Sequence, residues 1–208
     1  RKMLTLPTNK VPATSTNPKF LIIYGRPKSG KTSCLAQLEN NLIVDLEGGS
    51  TFIDAMAVQA RSISELGDIA SAIRAKNDEV GQKYYKHITI DNATRLEEIC
   101  LPYAKTLYKQ TSVGKNYAGD DVRTLPNGSG YMYIRQAVRK VIDMFKELCE
   151  EFILVGHVKD VQIDKDGEEV SEMALDLVGK LSSIICGESD AVGYIYRKKN
   201  ETHISFVG

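Results

Sequence analysis

Along this chain, short apolar runs alternate with longer stretches in which apolar residues recur every third or fourth position. That alternation predicts buried strands separated by amphipathic helices, the pattern of an α/β fold with a mostly parallel central sheet flanked by helices. The first run, Phe20 to Tyr24, leads through 25–32 into a helix-forming stretch, Ser33 to Leu38. Leu42, Ile43 and Val44 centre a second strand, Asn41 to Asp45. Ser62 and Glu65 fit a capping box, and Leu66, Ile69 and Ile73 keep helical spacing, so a helix is expected from about Glu65 to Ala75. His87 to Ile90 reads as a strand ending on Asp91, with a helix from about Thr94 to Tyr108 behind it. A further helix is expected from about Tyr133 to Glu150, where Ile134, Val138, Val141, Ile142, Phe145 and Cys149 share one face. Phe152 to Val155 makes the next strand, closed by Gly156 and His157.

Beyond His157 the pattern changes. Val161 to Ile163 and Glu169 to Ser171 flank an Asp-Gly pair, the signal of a β-hairpin. A short helix near 178–187 and two strands, Ala191 to Arg197 and Thr202 to Val207, complete an antiparallel C-terminal part. Residues 1–18 hold Pro7, Pro12 and Pro18 among polar residues with no apolar period, so they are expected to form a flexible tail before one domain spanning 19–208.

Composition narrows the picture only slightly. With 208 residues and 42% apolar content, the chain suits one well-buried α/β domain. Its 27 basic and 27 acidic residues cancel, so any nucleic-acid site must be local rather than spread over the surface. Cys34, Cys100, Cys149 and Cys186 form no CxxC pair, which points to reduced thiols in a cytoplasmic setting. No apolar run approaches a membrane span, and no membrane partner is expected.

The chemistry is concentrated in the stretch between the first strand and its helix. Gly25, Arg26, Pro27, Lys28, Ser29, Gly30, Lys31 and Thr32 match GxxxxGK[ST], a phosphate-binding loop, with Ser33 next to it. Backbone N–H groups of such a loop curl round a β-phosphate, Lys31 faces the β/γ oxygens, and the Thr32 hydroxyl is placed to ligate Mg²⁺. Two strand ends carry the acids that decide what is done with the phosphates. Asp91, closing an apolar strand, is expected to orient the Mg²⁺ water shell. Glu47, 16 residues past Lys31, is the candidate for activating water, with Asp45 as its competitor. Asp45 to Gly48 also matches the DxxG of GTP switches. Only 13 residues separate Lys31 from Asp45, however, and the nearest counterpart of a guanine-reading NKxD reads HVKD, so ATP is favoured.

These residues carry a family resemblance. VDLEGGS resembles the DTEG stretch of RecA/RadA-type recombinases, ITIDN their second acidic strand, and FILVGH their third strand ending in a polar sensor. The layout resembles the phage-encoded, core-only RecA-like ATPases of single-strand annealing and recombination. The resemblance implies a RecA-like P-loop core acting on ATP with Mg²⁺ in the host cytoplasm. It makes Glu47 the catalytic glutamate, Asp91 and Thr32 the metal residues, and His157 the γ-phosphate sensor, where RecA itself usually has Gln. It also implies a homo-oligomeric ring or filament whose sites are completed by a basic residue of the neighbouring protomer. Arg197, Lys198 and Lys199, at the end of a late strand, are preferred to Lys180 for that role.

One window stands out for nucleic acid. Between Leu101 and Lys140 lie seven Lys or Arg against two acids, with five of the ten tyrosines: 103, 108, 117, 131 and 133. Basic groups interleaved with aromatics suit single-stranded DNA, and 111–130, rich in glycine, is expected to be a mobile loop that contacts it. The alternatives are a nucleotide-gated DNA-binding module with little hydrolysis and a small-molecule kinase, for which Arg123 is the sole arginine in the loop that would serve as a lid.

Overall fold

The computed structural model describes residues 8–10, 12, 18–165 and 168–206. Most of the expected tail, the Asp166-Gly167 turn and Val207 therefore lie outside the described residues. Seven strands form one path: β3 (Ala57–Gln59), β2 (Asn41–Asp45), β4 (His87–Asp91), β5 (Glu151–Lys165), β1 (Phe20–Gly25), β7 (Ala191–Lys198) and β8 (Glu201–Ser205); β6 (Glu168–Leu175) pairs with β5 as the eighth. All pairings from β3 to β7 along that path are parallel, whereas β5–β6 and β7–β8 are antiparallel. The expected mostly parallel α/β sheet with an antiparallel C-terminal part is what forms. The strand carrying the phosphate loop, β1, is separated from the acid-bearing β4 by β5, so the ends of β1, β2 and β4 converge with the middle of β5: Gly25 lies opposite His157, and Asp45 opposite Asp91.

The two faces of the sheet are covered unequally. Phe20, Ile22, Leu42, Val44, Ile88, Ile90, Phe152 and Leu154 point into the larger core with most of the helices. On the other face a smaller cluster gathers, Ile23, Ile153, Val155 and Ile195 under Leu35 of the short α1 (Lys31–Leu35), with Leu21 and Cys34 at its margin. This first helix is shorter than expected. Asn40 adopts a left-handed backbone with φ 49°, and Asn41 Nδ2 donates to the Leu35 carbonyl at 2.9 Å, so the chain turns early into β2.

Elsewhere, helix ends follow caps and prolines rather than apolar spacing. α2 (Ile63–Val80) outruns the expected end at Ala75 and stops at Gly81, whose φ of 73° closes a left-handed C-cap. At its start, Ser62 Oγ accepts from Glu65 N at 3.2 Å, while the Glu65 carboxylate reaches the Arg61 N–H rather than that of Ser62. The single helix expected over 94–108 is divided at Cys100 into α3 (Ala93–Ile99) and α4 (Leu101–Lys109), because Pro102 has no N–H to continue the ladder. α5 (Gly130–Lys146) begins and ends a little before the expected 133–150, and α6 (Leu181–Glu188) follows the β5–β6 hairpin. The short edge strand β3 has too few residues to show alternation in the sequence.

The segment 111–130 departs most from expectation. Two 3₁₀ turns, Val122–Thr124 and Pro126–Gly128, carry Val122 and Leu125 into the core. Tyr117 packs edge-on against Tyr108 at 5.2 Å and donates its hydroxyl to the Asp121 carbonyl at 2.8 Å; Tyr133 closes on Tyr108 at 5.1 Å. Tyr103, Tyr108, Tyr117, Tyr131 and Tyr133 all pack against the main core. What reads as an open, mobile loop is a folded cover, since burying its few apolar groups outweighs exposing them. Among the described residues no helix is long and apolar enough to cross a membrane.

Candidate nucleotide site

The phosphate loop is shaped by two close constraints. A Cβ on Gly25 would come within 2.5 Å of the Ile195 carbonyl oxygen of β7, and Gly30 holds φ 90°, a backbone that L side chains rarely adopt. Lys31, at the start of α1, is buried. Its ammonium donates to the Arg26 carbonyl at 2.8 Å and the Gly25 carbonyl at 3.1 Å, and lies 3.4 Å from Ser29 Oγ. Burial lowers the Lys31 pKa, with Asp91 and Glu47 opposing the shift. None of those loop partners carries a full charge, so a phosphate in the loop would meet an under-compensated cation.

Thr32 and Asp91 are brought into direct contact. The Thr32 hydroxyl donates to Asp91 Oδ2 at 2.6 Å, joining the helix after β1 to the end of β4, two strands away. Burial raises the Asp91 pKa; the Thr32 hydrogen bond opposes that, and the nearby Asp45 and Glu47 charges add to it. Asp91 therefore gains from a cation beside it. Among the described residues no three His, Cys, Asp or Glu side chains gather as a metal cage. The donor set at this point, one carboxylate and one hydroxyl, fits Mg²⁺, which takes few protein ligands and fills its octahedron with phosphate oxygens and water.

Asp45 faces the same edge and does something else. Its carboxylate accepts from the backbone N–H groups of Glu47 at 3.0 Å, Gly48 at 2.8 Å and Ser50 at 2.8 Å, and from the Ser50 hydroxyl. Burial alone would raise its pKa, but the bonds from Ser50, Glu47 and Gly48 outweigh that and hold it below the usual carboxylate range. With its lone pairs so occupied, Asp45 organises the turn that presents Glu47. Asp45 also lines the cavity that Glu47 lines.

Glu47 is half-exposed and lies 3.8 Å from His157 Nε2, which is also 3.1 Å from Asn92 Nδ2. His157 Nδ1 is buried without a hydrogen-bond partner. One cavity of about 800 Å³ collects Pro27, Lys28, Gly30, Lys31, Thr32 and Ser33 with Glu47, Asp91 and His157. Of the remaining loop residues, Gly25 and Ser29 support Lys31 from behind, and Arg26 turns away to Asp160 at 3.4 Å.

The late-strand basic cluster is split. Arg197 lines this cavity within its own chain, beside Thr202 and Ile204 of β8, and forms no ion pair among the described residues. Lys198, Lys199 and Lys180 do not line it. Sequence reasoning missed Thr202 and Ile204, although both alternate onto the face opposite the tyrosines of the hairpin; it also missed Cys34 and Gln37, one helical turn apart along the stretch after Lys31. Arg123, the residue a kinase lid would need, is bound to Asp121 through both Nε and Nη2 at 2.6–3.0 Å.

Residues 17–208 match the AAA domain family designated AAA_24. The chain belongs to that family. As an AAA domain it is a nucleotide-binding P-loop NTPase, in keeping with the loop, the Thr32–Asp91 contact and the strand order. No curated protein matches the sequence. Among solved structures, the RadB recombinase is similar with a TM-score of 0.48 at 10% identity, over 91% of this chain and 80% of its own. A KaiC-like protein from Pyrococcus horikoshii OT3 is similar with a TM-score of 0.45 at 13% identity, over 90% of this chain and 78% of its own.

Proposed function

We propose that this AAA domain is a Mg²⁺-dependent ATPase of the RecA-like class that works on single-stranded DNA in recombination or annealing. It would act as a homo-oligomer in the cytoplasm, like the phage-encoded core-only ATPases its motifs resemble. The observation that carries the reading is the Thr32–Asp91 contact beside the buried Lys31, with Glu47 and His157 lining the same cavity.

In this reading Lys31 and the loop N–H groups hold the β/γ-phosphates, and Thr32 and Asp91 hold Mg²⁺, which supplies charge neutralisation when bound. Glu47 orients water at the γ-phosphate and takes its proton, helped by its exposure to the cavity and by the turn that Asp45 holds in place. His157 reads the γ-phosphate from the middle of β5, where pairing with β1 gives way to pairing with β6, and passes its position into the β5–β6 hairpin that continues the same strand. Arg197 stabilises the transferring phosphoryl group from within its own chain, since its strand already runs beside the loop.

The test is ATP turnover with and without single-stranded DNA. Glu47→Gln should keep nucleotide affinity within a few-fold while lowering turnover by about 10² to 10⁴. Undiminished turnover in that variant would remove Glu47 from the role. DNA stimulation of the wild type separates a DNA-coupled ATPase from a binding module that hydrolyses only incidentally.

A further inference from the structure

The β7–β8 hairpin has two chemically different faces, because side chains alternate along each strand and directly opposed residues share a side. Ile195, Arg197, Thr202 and Ile204 turn toward α1 and the nucleotide cavity. Tyr194 and Tyr196, with His203 opposite Tyr196, turn the other way. There the rings form a ladder. Tyr194 and Tyr196 are stacked at 5.7 Å and 17°, and Tyr196 and His203 at 5.4 Å and 18°. Tyr24 of β1 extends the row at 5.4 Å with a tilt of 51°. All four rings are only half-buried.

A second cavity, about 460 Å³, opens beside Tyr24, with Lys159, Ser182, Ser183 and Gly179 along its walls. Lys198 shares the aromatic face of β7, and Lys199 follows it at the hairpin turn. Neither forms an ion pair among the described residues. An acid on this face, Glu201, lies opposite Lys198 and reaches His203 Nε2 at 3.5 Å.

We propose that this face, rather than the 111–130 segment, receives single-stranded DNA, with bases packing on the exposed parts of the Tyr196 and His203 rings and phosphates meeting Lys198 and Lys199. The choice of occupant follows from the surface. A row of half-exposed rings offers aromatic contact to planar bases, every one of which has a π face, and the ammonium groups at the end of the row suit the intervening phosphates. Met173, Leu175 and Val192 also line the cavity beside Tyr24, but Lys198 and Lys199 at the end of the row favour a polyanion over an aliphatic partner. Tyr108, Tyr117 and Tyr133, by contrast, also pack against the main core. Because Arg197 and Thr202 sit on the back of the same two strands, nucleotide in the first cavity and DNA on the ladder bear on one element. Each should then change affinity for the other by the same factor.

This inference rests on the DNA reading above, and the experiment separates the two. Anisotropy of a labelled oligothymidylate is measured with wild type, Tyr196→Ala/His203→Ala, Tyr196→Phe, Lys198→Glu/Lys199→Glu and Lys109→Ala/Lys115→Ala. The alanine pair should weaken binding at least about fivefold, the lower end of one stacked base, while Tyr196→Phe stays within about twofold. The exposed lysine pair, which carries no packing, should weaken binding and flatten its salt dependence. Unchanged binding in both hairpin variants, or a loss confined to Lys109→Ala/Lys115→Ala, overturns the proposed surface and leaves the DNA reading standing. No binding by wild type overturns both.

Discussion

Asp45 and Asp91 sit opposite each other in register at the ends of neighbouring parallel strands, yet the fold treats them in opposite ways. Asp45 is wrapped by the turn that follows it and accepts four hydrogen bonds, which hold its pKa down. Asp91 is followed directly by Asn92 and a helix, receives one hydroxyl from Thr32, and has its pKa pushed up by burial. The first carboxylate is satisfied and structural. The second accepts a single hydrogen bond and is the carboxylate proposed to take a cation, which would relieve the cost of its burial.

The largest effect should come from removing the second carboxylate. Asp91→Ala should reduce affinity for ATP with Mg²⁺ by about 10²-fold or more, while affinity measured in the presence of a chelator changes far less; titration calorimetry in both conditions checks this. Next, Arg197→Ala should lower turnover by about tenfold or more. Mixing it with Lys31→Ala protein should not restore activity, because Arg197 serves its own chain's cavity; recovery on mixing would mean that the arginine reaches across to a neighbour.

The comparison itself is tested by the paired asparagine variants without nucleotide. Asp45→Asn should cost on the order of 2 kcal/mol, about 4–8 °C in thermal midpoint for a domain of this size, by weakening bonds to a charged acceptor. Asp91→Asn should leave the midpoint unchanged or raise it by a few degrees, since it removes a buried charge. If both variants fall equally, the contrast is wrong. The pH dependence has opposite signs as well. The stability that Asp45 contributes is present above its ordinary value of 3.8 and is lost as pH falls through its depressed folded value. The penalty at Asp91 sets in as pH rises above 3.8 and levels off once its raised folded value is passed. Asp45→Asn should therefore flatten the acid limb of the stability curve, and Asp91→Asn should lift the neutral plateau.

The smallest effect is chemical protection. Cys100 and Cys149 are buried, their pKa values pushed up to about 12, and should resist thiol reagents in the folded protein. Cys34 lines the nucleotide cavity, so ATP should slow its labelling while leaving that of Cys186 unchanged.

Local signals suffice where a function is carried by consecutive residues or by a strand's apolar run. The phosphate loop, the strand that ends on Asp91, the β5–β6 hairpin and the cap at Ser62 all follow from neighbours within a few residues, so the amino-acid pattern alone makes them legible. The end of α2 at Gly81 and the break at Cys100 are also written locally, in Gly81 and Pro102, but apolar spacing draws attention away from such punctuation. The 111–130 segment misleads for a different reason. Its glycines and polar residues look like an open loop, and only the core beneath it reveals that Val122, Leu125 and Tyr117 have somewhere to go.

The chain on its own determined that a phosphate loop exists, which strands carry acids, and that a parallel sheet joins them, because these depend on backbone periodicity and short-range chemistry. Tertiary structure alone decided that Asp45 accepts four hydrogen bonds while Asp91 accepts one, that Arg197 faces the cavity of its own chain while Lys198 does not, and that the tyrosines of one region pack against the main core while those of another line up along a hairpin. Those outcomes depend on which strand ends become neighbours and which face of a hairpin meets the core, and a one-dimensional pattern holds no record of either until the sheet order is set.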